Sequence, residues 1–319
     1  MLQVLDAVDA FLDRLGSVDF LPLAFAIGCH LLKMACTSRA WRNVLAAAYP
    51  DRRVPWRSIY GAYLAGVGVN AIVPARAGDA VRIVMAHRAI EGSTYTTVVA
   101  STLALTLFDF VAASCLMVWA ITSGELPGLD VLATLESFDF AWLLSRPLAF
   151  ELLIAAILIL SAALAFWIRG HVENFGARVT QAFAVFRPPV RYLTRVAPWQ
   201  ACDWALRLAT IWFLLDAFDI PQSLRNAALV QVAQSSATLV PITPGGVGTE
   251  QALLLYVLDG TAAASVLLAF SVGAKLTLTT TNVVAGFTSI ALTLRTVRFR
   301  DVLKRAEAAE DSAAKADAS

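Results

Sequence analysis

The sequence predicts an all-α integral membrane protein, a polytopic helical bundle, and three observations carry that expectation. The 319 residues are 58% hydrophobic and 15% charged, against ~25% charged in soluble domains. Apolar stretches reach the ~20 residues that cross a ~30 Å hydrocarbon core, as at Leu148–Ile168 and at Val266–Leu294, where Lys275 is the only charge. Two further apolar regions are interrupted near their middles by Pro and Gly, in NAIVPARAGD at 70–79 and PITPGGVGTE at 241–250.

Taken in order, the first twenty residues lack the basic start and apolar core of a signal peptide. Leu2, Leu5, Val8, Phe11, Leu12 and Leu15 share one helical face, opposite Asp6, Asp9 and Asp13, so 1–17 reads as an interfacial helix. Spans follow at 18–38, 94–122, 148–168, 200–218 and 262–293. The interrupted regions, 58–90 and 224–258, each read as two half-helices, because neither half reaches spanning length. No polar segment outside the spans suffices for a soluble domain. The expectation is a single transmembrane domain over 1–319, with a tail at 295–319.

Lys and Arg set the orientation. Arg39, Arg42, Arg52, Arg53 and Arg57 follow the first span, and Arg169, Arg178, Arg187, Arg191 and Arg195 follow the third. The tail holds Arg295, Arg298, Arg300, Lys304, Arg305 and Lys315, whereas the alternate segments carry only Arg14, Arg146 and Arg225. The positive-inside rule places the tail in the cytoplasm and the N-terminal helix outside.

The interrupted regions also resemble each other. A shift of 170 residues lays Pro74 on Pro244 and Gly78 on Gly248, and the flanking elements keep the same order. Residues 18–122 and 200–293 therefore read as two copies of one unit, joined by the connecting span at 148–168. Each copy crosses an even number of times and the connecting span adds one, so the second copy is inverted. Inverted repeats with broken helices are a transporter architecture.

Non-helical backbone at membrane depth survives only inside protein or along a polar cavity, so both breaks point to an internal site with re-entrant helix pairs. Their second half-helices begin near Gly78–Asp79 and Gly248–Glu250, where free N–H groups and the positive dipole end suit an anion. Gly245, Gly246 and Gly248 permit close approach of a ligand. Arg76 and Arg82 offer guanidinium forks matched to phosphate. Asn70, Gln234 and Thr249 are further candidate headgroup contacts. The plainer roles are helix capping for Asp79 and Glu250, ion pairing for the arginines, and interhelical hydrogen bonds for the amides and hydroxyls. Lys33 reads as snorkelling to the cytoplasmic surface, and Arg207 as the i, i+4 partner of Asp203. Lys275 and Asp109 each sit near the middle of a long span, and an ion pair between them is expected, as a gate or proton-linked switch or as a simple brace.

Other chemistries find no support. Cys29, Cys36, Cys115 and Cys202 form no C-x-x-C pair, and His30, His87 and His171 lack metal-ligand spacing. No nucleotide or hydrolase motif is present, and a net charge of +1 without a basic-aromatic surface gives no case for nucleic acid. The expectation is a protein that is not an enzyme and holds neither cofactor nor metal.

At N-A-I-V-P-A-R-A-G-D-A-V-R (70–82) and P-I-T-P-G-G-V-G-T-E (241–250) the sequence resembles the transmembrane region of the lysylphosphatidylglycerol synthases, the flippase-like or YbhN-like family. Asn70, Pro74, Arg76, Gly78, Asp79 and Arg82 match its early pattern; Pro241, Pro244, Gly245, Gly246, Gly248 and Glu250 match the late one. The resemblance implies a lipid transporter or flippase of the bacterial inner membrane, moving an anionic phospholipid or glycolipid between leaflets. The aminoacyl-transferase domain of the fused synthases is missing here, which argues against synthesis. Two rival readings stand beside it: an integral membrane transferase using Asp79 or Glu250 as base, and a non-transporting partner of a separate lipid-synthesis enzyme.

Overall fold

The computed structural model describes residues 18–73, 76–125, 175–239 and 249–296. Those residues form ten α-helices and one 3₁₀ turn, and no strand occurs among them. The expected interfacial helix at 1–17, the connecting span at 148–168 and the tail beyond 296 lie outside the described residues.

Helix α1, Phe20–Ala48, starts where the Asp19 carboxylate accepts the Leu21 N–H at 3.0 Å, a usual N-cap contact. It runs ten residues past the expected end at 38. The polar run there keeps one buried face: Ser38, Ala40, Trp41, Val44 and Leu45 are all buried, and the Ser38 hydroxyl donates to the Ala35 carbonyl. The first interrupted region is α2, Trp56–Ile72, and α3, Ala77–Ala89. At 1.5 Å per residue, their 17 and 13 residues span about 26 and 20 Å. Both fall short of a ~30 Å core. They form an antiparallel hairpin so tight that a Cβ on Gly66 would lie 2.8 Å from the Gly78 carbonyl oxygen.

A turn at Gly92, whose φ of +70° suits glycine, leads into α4, Tyr95–Thr122, capped by the Thr94 hydroxyl. Short helices α5 (Phe175–Ala182) and α6 (Pro189–Arg195), with a 3₁₀ turn between, precede α7, Ala197–Ala217. The second interrupted region is α8, Leu224–Leu239, and α9, Thr249–Val257, before the long α10, Ala264–Thr296. Helices stand at all four described positions where spans were expected and on both sides of each interruption. Helices α1, α4 and α10 are long and apolar enough to cross a membrane. The chain is an all-helical membrane protein.

Helices α1 and α7 pack against each other along their lengths. Asp19 meets Ala217, Phe25 stacks on Phe213, Cys36 meets Cys202, and Asn43 reaches the Arg195 carbonyl. One residue number rises as the other falls, so the pair is antiparallel. Helices α2 and α10 are also antiparallel, from Gly61 against Thr293 to Gly68 against Gly286. A Cβ on Gly68 would stand 2.6 Å from the Gly286 Cα. Small residues at such a crossing let backbones touch where lipid supplies no hydrophobic drive. One apolar core joins α7, α8, α9 and α10 through Leu214, Leu215, Leu229, Leu254 and Phe270; another lies under Trp41, Leu45, Ile59 and Ile90.

Candidate functional site

The first break gathers four of the expected residues. The Asn70 side chain spans the hairpin: its Oδ1 accepts the Gly78 N–H at 2.7 Å, and its Nδ2 donates to Asp79 Oδ1 at 3.0 Å. Asn70 is therefore the cap, and Asp79, expected in that role, instead sits one turn in, beside the positive helix end. One N–H expected to be free for an anion is thereby occupied. Gly78 is buried and packed against Gly66 and Asn70, which leaves no room for a side chain.

Arg82 lies one turn further along α3, with its Nε 3.4 Å from Asp79 Oδ1 and its guanidinium 5.9 Å from the Trp41 ring centroid. That Nε is buried without a hydrogen-bond partner among the described residues. Arg76 is exposed at the head of α3 and adopts φ +57°, ψ +33°, a left-handed conformation costing an ordinary residue ~1–2 kcal/mol. Pro74 and Ala75 between the half-helices lie outside the described residues.

At the second break, Gly245, Gly246 and Gly248 lie outside the described residues. Helix α9 opens at Thr249, and Glu250 stands in its first turn. Gln234 is half-buried on α8. Lys275 Nζ lies 3.5 Å from Glu250 Oε2, and this corrects the expected Lys275–Asp109 pair. Lys275 finds the acid that opens the helix just before its own, because α9 packs directly on α10. Asp109 belongs instead to α7: it accepts Trp204 Nε1–H at 2.8 Å and lies 3.5 Å from Arg207 Nη2.

Those contacts define a third cluster that the sequence reading did not assemble. Asp203 and Arg207 make the expected i, i+4 pair at 2.8 Å, and the Thr37 hydroxyl of α1 donates to Asp203 Oδ1. Arg207 thus bridges the acids of α7 and α4 while stacking 5.1 Å from the Trp204 ring. Lys33 joins the same cluster. Helix α1 continues fifteen residues beyond it to Ala48, which leaves Lys33 in the field of Asp203, Arg207 and Asp109. His30 shares a 2.8 Å hydrogen bond with Asn282 of α10. Tyr63 of α2 lies near Thr37, Asp203, Arg207 and Arg82, so polar groups continue from the first break into the α1–α7 contact.

Three clusters result: Asn70, Asp79 and Arg82 at the first break; Glu250 with Lys275 at the second; and Lys33, Asp109, Asp203 and Arg207 between α1, α4 and α7. Among the described residues no ion pair joins the first two. The signal for the third was a charge in every helix that composes it. Lys33 and the Asp203–Arg207 pair had local explanations, and Asp109 was matched to Lys275. No group of three or more His, Cys, Asp or Glu suited to a metal occurs among the described residues.

No curated protein matches the chain closely. The motifs and the helical architecture agree with the family whose description reads lysylphosphatidylglycerol synthase TM region; its model matches residues 2–286, and the chain belongs to that family.

Proposed function

We propose that the protein is a lipid transporter, moving an anionic phospholipid or glycolipid between leaflets, rather than an enzyme. The observation that carries this reading is Arg82. Its guanidinium is steered by Asp79 and Trp41, yet its buried Nε has no hydrogen-bond partner among the described residues. A buried charged donor that faces an acid at 3.4 Å without a formed hydrogen bond retains bonding capacity. A headgroup phosphate beside Arg82 would satisfy it with a charge-assisted bond. Exposed Arg76 would meet the same anion from the head of α3, with Gly78, Asn70 and Asp79 shaping the floor. At the second break Glu250 opens α9 beside Lys275, and Gln234 stands on α8.

The inverted-repeat reading draws support from the antiparallel α1–α7 pair and from the two interrupted hairpins. The Arg-rich ends support a bacterial inner-membrane orientation with the N-terminus outside and the C-terminus in the cytoplasm. The transferase alternative needs a free carboxylate base, whereas Asp79 and Glu250 are both held in ion pairs. That favours transport without chemistry on the lipid.

The test is leaflet exchange of a fluorescent phosphatidylglycerol in proteoliposomes of the purified chain, with dithionite quenching as readout. The wild type should expose inner-leaflet label faster than empty vesicles, and Arg82→Ala should lose most of that gain. A wild type no faster than empty vesicles, or an undiminished Arg82→Ala, overturns the proposal. Turnover of the lipid into a new species would establish the transferase instead.

A further inference from the structure

A groove of about 680 Å³ runs between α1, α2 and α10, on the outer side of the bundle and apart from the three clusters. Its body is apolar, with Ile27 and Leu31 from α1, Leu64 from α2, and Val284 and Leu292 from α10. Along α10 it extends from Thr280 to Thr293. At 1.5 Å per residue that is about 20 Å, about two-thirds of a ~30 Å hydrocarbon core and enough to take an acyl chain through one leaflet.

The two ends differ. At one end lie Arg57 and Tyr60, and Tyr60 stacks on Trp56 at a centroid separation of 5.6 Å. The Arg39 guanidinium sits 5.4 Å from the Trp56 ring centroid and 5.8 Å from that of Trp199. Trp and Tyr with Arg are the residues that settle at headgroup level. The other end has no charged lining residue and closes at Leu64 and Thr280. An apolar slot one leaflet deep, with an aromatic and cationic mouth, matches a phospholipid in length, polarity and charge. A second copy of this chain has no comparable reason to end its apolar contact at two arginines.

The groove's walls are α1, α2 and α10. We infer that this groove is a binding slot for an anionic glycerophospholipid of the Arg-rich leaflet, one acyl chain lying along α10 and the phosphate at Arg57 with Arg39 behind it. The site is separate from the Arg82 site, and it holds lipid whether or not the protein transports any. Its occupant braces α2 against α1 and α10, the walls on which the first interrupted hairpin hangs.

The experiment places p-benzoylphenylalanine at Thr288, an exposed groove position, in the full chain. The protein is reconstituted in vesicles of equimolar phosphatidylglycerol and phosphatidylcholine and irradiated, and the adduct is read by intact mass. The expected product is mainly the phosphatidylglycerol adduct, favoured about fivefold, the worth of one surface Arg toward anionic lipid. Arg57→Gln should bring the two adducts near parity, while Arg82→Ala should leave their ratio unchanged even where it abolishes leaflet exchange. Equal yields of the two lipids in the unaltered background would overturn the inference. So would crosslinking to a second copy or to the chain's own segments. A folding defect in Arg57→Gln would show by size exclusion; Arg57→Lys, which keeps the charge, should then preserve the preference.

Discussion

Asp203→Asn tests whether the central cluster binds α1 to α7. The Asp203 side chain is only 4% exposed and accepts from Arg207 Nε at 2.8 Å and from Thr37, so one carboxylate ties α7 to itself and to α1. Removing one partner of a buried ion pair typically costs about 3–5 kcal/mol. Here the figure is reduced, because the Arg207 side chain is 25% exposed and keeps Asp109 at 3.5 Å; the expected loss is about 2–3 kcal/mol. Arg207→Gln should cost a similar amount, since it leaves both acids uncompensated. The double variant should lose less than the sum, with a coupling of about 1–2 kcal/mol. The assay is unfolding in mixed micelles by SDS titration, followed by circular dichroism, on all four members of the cycle. A single-variant cost below about 0.5 kcal/mol, or additivity within that margin, would refute the claim that these charges hold the α1–α7 contact.

Other outcomes follow from the same contacts. The swap Glu250→Lys with Lys275→Glu should restore thermal stability lost by either single change. The loss itself should be small, about 1 kcal/mol or less, because the Lys275 side chain is 42% exposed; rescue of Lys275→Glu by Asp109→Lys instead would reinstate the pairing the geometry rejects. Gly68→Val should cost about 1–3 kcal/mol by overpacking, because a Cβ there stands 2.6 Å from the Gly286 Cα; an unchanged melting temperature would contradict the crossing. Cys36 and Cys202, with Sγ atoms 3.5 Å apart, should crosslink under copper–phenanthroline in the folded chain and fail to in Cys36→Ser. Absence of the crosslink in native protein would place α1 and α7 elsewhere.

The helices themselves were legible because apolar length and Pro-Gly interruption are local properties. The ends of α2 at Ile72 and α8 at Leu239 follow from the Pro and Gly next in sequence, since proline removes a donor and glycine permits turns. Partner choice was not local. Lys33 met Asp203 and Arg207 only because α1 and α7 lie antiparallel, a fact no span reading contains. The end of α1 was misplaced because Ser38, Arg39 and Arg42 resemble a polar loop, while Trp41, Val44 and Leu45 keep a buried face through them. Lys275 was misassigned for a related reason. Depth in the span suggested Asp109, whereas packing of α9 on α10 offered Glu250. Asn70 displaced Asp79 as cap because the hairpin folds α2 back over the start of α3, bringing a residue eight positions earlier into reach.

Ion pairing accounts for several of the basic residues within the helices. An intramembrane charge costs ~2.5–3.5 kcal/mol on insertion scales, and Arg82, Arg207 and Lys275 each have an acid within 3.5 Å. Arg76 is different. It makes no ion pair among the described residues, and it holds a left-handed backbone that glycine would adopt freely. Arg76→Gly should relieve ~1–2 kcal/mol of strain and give back ~0.4–1 through a freer unfolded chain, a net gain of up to about 1.6 kcal/mol. A position that keeps arginine against its own backbone preference is explained if the cation is needed there. Arg76→Gly should then be at least as stable as the wild type yet slower in leaflet exchange, with Arg76→Lys between them. A glycine variant equally stable and equally fast would show that the charge at this position does no work on lipid.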